Sequence, residues 1–165
     1  MSAAPEVNEA TGPTSTQIGA IAECLVTAGI LEASGGRLSP FKPIADDDGL
    51  DLLLFDKLTR RPIPLQIKCR RNFDDPKAQT VQFDVRLKTF AAHEDGYILC
   101  IKLDGTAIGA LWLVPAKDLR SIAKATPTHL VVTPSAKPTS QDRLSPYRLA
   151  TFAEVADRIL DPAKA

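Results

Sequence analysis

Two apolar stretches of this chain carry polar side chains where strand interiors would hold leucine. Residues 49–56 read Gly-Leu-Asp-Leu-Leu-Leu-Phe-Asp, and residues 62–70 read Pro-Ile-Pro-Leu-Gln-Ile-Lys-Cys-Arg. Side chains alternate faces along a strand, so Gln66 and Lys68 share one face while Leu65, Ile67 and Cys69 take the other. Asp51 interrupts the first stretch near its start. Burying an acid, an amide and an ammonium among leucines is costly unless they satisfy one another or a ligand. An acid in one strand, with an amide and a lysine two apart in the next, can form a divalent-metal site with a cation beside it.

The chain has 165 residues, enough for one domain with a real core. Residues 1–15 are rich in Ala, Pro, Thr and acids without apolar periodicity and are expected to be a disordered tail; residues 16–162 are expected to form a single domain. No basic start or secretory leader is evident, and no apolar run approaches the ~18 residues that span a bilayer, so no membrane partner is expected. Cys24, Cys69 and Cys100 are odd in number, widely spaced and set in apolar segments. They read as small core residues in a reducing, cytoplasmic setting of bacterial style, with no zinc knuckle. His93 and His129 are isolated, and neither a phosphate-binding glycine loop nor a serine-hydrolase elbow occurs, so no organic cofactor is expected. Net charge is zero, which counts against simple non-specific nucleic-acid binding. Yet Arg60, Arg61, Lys68, Arg70 and Arg71 crowd the second stretch, and a local basic rim can hold a phosphate backbone on a neutral chain.

Apolar residues at helical spacing predict a helix over 16–31, capped by Ser15 or Thr16 and ended near Gly35-Gly36. Residues 38–44 predict an edge strand, since Pro40 and Pro43 lack donors. Asp46 to Gly49 reads as a turn, then come two strands joined near residues 57–61. Residues 79–85 suit a strand or a helix start, and 86–93 a helix. Residues 97–103 and 107–114 predict a hairpin around Asp104-Gly105. A short helix over 115–123, a strand at 130–132, a flexible loop over 133–146, a strand at 147–150 and a helix over 151–160 complete the chain. This order suits an α/β fold with a mixed central β-sheet flanked by helices.

Asp51, fourteen intervening residues, then Gln66-Ile67-Lys68 resembles the signature of the PD-(D/E)xK phosphodiesterases, the restriction-endonuclease-like nucleases. An opening helix with a glutamate, Glu23, extends the likeness, which covers about residues 17–115. The resemblance implies a restriction-endonuclease-like core and hydrolysis of DNA phosphodiesters with Mg²⁺ or Mn²⁺. It implies Asp51 as principal metal ligand, with the Gln66 side-chain oxygen, the Ile67 carbonyl and, through water, Glu23 completing the shell. Lys68 would stabilise charge at the attacked phosphate. Arg60, Arg70 and Arg71 would contact DNA, and pairing as a homodimer would let the protein reach both strands. Gln66 departs from the usual acid and makes the site one charge less negative.

Other readings stand beside this one. Asp51 can be a strand-edge acid paired with Arg60, Arg61 or Lys68, and Glu23 an exposed helix residue. The fold can serve as a DNA-binding module that no longer cuts, or as a protein-interaction subunit of a defence or mobile-element system. Trp112 sits in an alternating apolar run and reads as core.

Overall fold

The computed structural model of the chain describes residues 12–45, 49–71, 79–90 and 95–162. The acidic turn at 46–48, most of the expected tail and His93 lie outside them. Helix α1 spans Ser15–Ala33. Thr14, one residue earlier than expected, caps it: the Gln17 N–H donates to the Thr14 hydroxyl at 3.3 Å, and the Thr14 N–H donates to Gln17 Oε1 at 2.8 Å. Gly35 and Gly36 take left-handed φ values of 57° and 76°, which lets the Gly36 N–H reach back to the Leu31 carbonyl and close the helix end.

Among the described residues nine strands follow in chain order. Six form the main sheet, ordered β1-β2-β3-β5-β6-β9: Leu38–Phe41, Leu52–Asp56, Arg61–Arg71, Tyr97–Asp104, Ala107–Pro115 and Arg148–Leu149. The other three form a small sheet ordered β4-β8-β7: Phe83–Arg86, His129–Val132 and Lys124–Ala125. In the main sheet β3 and β5 run parallel and every other pairing is antiparallel, so the sheet is mixed as expected. β1 is an edge strand, which is why Pro40 is tolerated in it.

The main sheet buries both faces against different partners. One face carries Leu54, Leu65, Leu99 and Leu111 against α1, through Ala22, Val26 and Ile30, and against α3 (Phe152–Leu160), through Val155, Ala156 and Ile159. The other carries Ile98, Cys100, Trp112 and Val114 against Phe83, Val85, Leu130 and Val132 of the small sheet and Leu119 of α2 (Leu119–Ile122). Phe83 and Trp112 join the two sheets, with ring centroids 5.9 Å apart and planes tilted by 58°. Such a pair contributes about 0.5–1.5 kcal/mol beyond its area.

Several expectations change. The helix over 86–93 is absent from its described part: β4 ends at Arg86, residues 87–89 turn, and the Leu87 N–H donates to the Thr128 carbonyl. Phe83 and Val85 alternate with Asp84 and Arg86, a two-residue period that pairing with β8 enforces over local helix preference. The 133–146 loop makes hydrogen bonds of its own and to Arg148. The Asp142 carboxylate accepts from the N–H groups of Ser135 and Leu144, and the Arg148 guanidinium donates to the carbonyls of residues 135, 136 and 137. Burial pushes the Asp142 carboxyl up, but these hydrogen bonds outweigh it and the net shift is downward. Cys24 is exposed, not core; Cys69 is half-buried and Cys100 buried. By length and composition, α1 reaches the requirement for crossing a membrane, with 19 residues and a mean hydropathy of 1.2. In this fold its apolar stripe packs on the sheet.

Candidate functional site

Asp51 lies one residue before β2. Its N–H donates to the Leu65 carbonyl at 3.1 Å, extending the β2–β3 ladder, in which Leu52 faces Leu65. That bond is offset by one residue from the ladder register, so the pairing becomes irregular where Asp51 sits. Gln66 and Lys68, two apart on β3, share the face that the small sheet partly covers, and Asp51 reaches the same cleft. The Asp51 carboxylate accepts the Ile67 N–H through Oδ2 at 2.5 Å, which fixes its orientation. Gly49 makes this approach feasible. Its φ is +67°, and a Cβ there would sit 2.6 Å from Gln66 Nε2 and 2.7 Å from the Thr89 carbonyl oxygen.

Asp51, Gln66 and Lys68 line one open cleft of about 460 Å³, together with Gly49, Thr89, Cys69 and Arg70. Asp84, Arg86 and His129 form the wall contributed by the small sheet. Gln66 is nearly buried, at 6% exposure, on the cleft floor. Lys68 pairs in register with Cys100 on β5 and makes no ion pair among the described residues. Cys69 is no nucleophile here, because burial raises its thiol to about 11.

The remaining sequence candidates divide. Arg70 is on the cleft, where it donates to Asp84 Oδ2 at 2.8 Å and to the Gln82 carbonyl at 2.9 Å. Arg71 ends β3, half-buried, and is not part of the cleft lining. Arg60 sits at the far end of the β2–β3 hairpin, at φ 63° with its guanidinium 5.8 Å over the Phe55 ring, and does not line the cleft either. Arg61 turns to the Ile159 carbonyl, so both hairpin arginines engage groups away from the site. Glu23 is absent from the cleft lining; Lys42 Nζ donates to its Oε2 at 2.5 Å. That contact with Glu23 raises the Lys42 pKa, with smaller contributions that include the Asp51 charge.

Arg86, Thr89 and His129 were not legible as site residues, because the signal that groups them is the β4–β8 register, where Arg86 faces His129. An isolated histidine some sixty residues downstream carries no such signal.

No three His, Cys, Asp or Glu side chains gather into a metal-sized cluster among the described residues. On the main sheet the donors are the Asp51 carboxylate and the Gln66 amide oxygen, with Ile67 meeting Asp51 through its N–H; across the cleft, Asp84 is engaged by Arg70. So lean an all-oxygen set suits Mg²⁺ or Mn²⁺, which keep several waters and need one or two carboxylates, better than Zn²⁺.

No family model matches this chain, and no curated protein matches it. The fold does have a solved counterpart. A bacterial homing endonuclease, I-Ssp6803I, aligns with a TM-score of 0.61 over 93% of this chain and 99% of its own, at 14% identity. At that identity the likeness establishes a shared architecture.

Proposed function

We propose that this protein is a metal-dependent DNA phosphodiesterase of the PD-(D/E)xK type, with its reaction centre at Asp51, Gln66 and Lys68. The observation that carries the reading is the meeting of these three residues in one open cleft that also holds Arg70, Arg86 and His129. The motif spacing and the architecture shared with a homing endonuclease support it.

Asp51, with the Gln66 side-chain oxygen, would hold Mg²⁺ or Mn²⁺, which supplies an acidified water and a polarised phosphoryl group. The chain's own residues do the rest. The Ile67 N–H holds the Asp51 carboxylate in place. Lys68 stabilises the negative charge that grows on the phosphate, and Arg86 takes a neighbouring phosphate. Glu23 assists through water after Lys42 shifts from it. Two copies would pair to reach both strands of a duplex.

Incubation with duplex, single-stranded and branched DNA in Mn²⁺, with a chelator control, tests this reading. Metal-dependent cutting that Asp51→Asn abolishes is expected. Absence of cutting on all three substrates, or cutting that Asp51→Asn leaves intact, refutes it. The lean donor set also favours a second reading, a module that binds DNA without turnover. That reading predicts salt-sensitive binding and no cutting.

A further inference from the structure

The small sheet buries one face and presents the other to solvent. Phe83, Val85, Leu130 and Val132 point inward. The register then sets what points outward. Arg86 faces His129, while Asp84 and Lys124 both face Val131. Arg86 and Lys124 are exposed, and neither is held in an ion pair among the described residues. The one acid on this face, Asp84, is neutralised by Arg70 at 2.8 Å. The outer face therefore carries uncompensated positive charge that begins at the cleft wall and runs across three strands. With neighbouring strands about 4.8 Å apart, it spans roughly 10 Å. Successive phosphates of one DNA strand rise about 3.4 Å along the helix axis, so two or three fit on it.

We propose that the outer face of the β4-β8-β7 sheet is a docking surface for the backbone of duplex DNA, with Arg86 and Lys124 as phosphate contacts and His129 between them. This deepens the nuclease reading and rests on it for the choice of partner. The surface positions the duplex so that a scissile phosphate reaches Lys68. The contacts are to phosphate, so they hold the DNA without reading its sequence. They also account for how a chain with zero net charge can bind a polyanion.

Fluorescence anisotropy with a labelled duplex in EDTA, titrated over a range of salt, tests the surface apart from catalysis. The wild-type protein should bind, and the double variant R86A/K124A should bind about tenfold more weakly or worse. Its salt slope should be smaller by about 1.8, or about 0.9 for each phosphate no longer neutralised. R86K/K124R should keep the wild-type slope, and K117A, outside the patch, should change nothing. An unchanged slope in R86A/K124A, or no binding by the wild type, overturns the proposal. Cleavage assays on the same proteins separate the two claims. Cutting with unaltered binding in R86A/K124A defeats the surface and leaves the nuclease standing. Binding through Arg86 and Lys124 with no cutting does the reverse.

Discussion

Asp51 and Asp56 bracket the same strand and have opposite fates. Asp56, 1% exposed, is enclosed by Arg37 at 2.8 Å, the Thr59 hydroxyl at 2.7 Å and the Leu58 N–H at 3.0 Å. The Arg37 guanidinium holds its carboxyl well below the ordinary carboxylate range. A folded-state pKa depressed below the unfolded one gives stability that is present above the unfolded pKa of about 3.9 and is lost as pH falls below it. Asp56→Asn should therefore lower the urea midpoint at pH 7, and the gap from wild type should begin to narrow below about pH 4 and keep narrowing as pH falls further toward the depressed folded value; a gap independent of pH contradicts this assignment. Asp51, by contrast, accepts the Ile67 N–H and faces the cleft. The sequence distinguished Asp51 through its spacing to Gln66 and Lys68, whereas Asp56 carried no local signal, because its partner Arg37 lies nineteen residues away. Gly49 supports the site by absence of a side chain. Gly49→Ala should cost about 1–3 kcal/mol in chemical denaturation from left-handed strain alone, and displace Gln66 as well.

At the scale of elements, α1, the β2–β3 hairpin, the β5–β6 hairpin and α3 were legible because each buries a stripe with its own period. Residues 79–85 stayed open between strand and helix start, and 86–93 read as helix, because β4 owes its form to β8, more than forty residues later in the chain. The same distance hid the small sheet and with it half of the cleft wall. Packing between α1 and α3 offers a direct check. A Cβ on Gly29 would collide with the Phe152 ring at Cδ2, so the helices meet where no side chain fits. Gly29→Ala should destabilise by about 1–3 kcal/mol despite alanine's better helix propensity, since overpacking of this kind outweighs the ~1 kcal/mol gained. Combining it with Phe152→Ala should give a total less than the sum of the two single losses, because the clash is then gone. Strict additivity in urea denaturation would show that the ring simply moves aside.

For the whole molecule, two helices on one face of a mixed sheet leave the opposite face to a small sheet, and the cleft forms where the β2–β3 edge meets Asp84, Arg86 and His129 of that small sheet. The architecture shared with a homing endonuclease at 14% identity establishes the fold alone, and one fold can host many functions. Function on such a fold belongs to the site, and Lys68 is the residue whose role packing alone leaves unexplained. The most direct measurement is the single-turnover rate of Mn²⁺-dependent duplex cleavage by wild type and Lys68→Ala, with DNA binding and melting temperature recorded in parallel. A rate reduced about 10²–10³-fold, with melting unchanged and binding weakened only by the share of a single phosphate, is the predicted result. Equal rates in the two proteins would contradict the assignment of catalysis to this cleft.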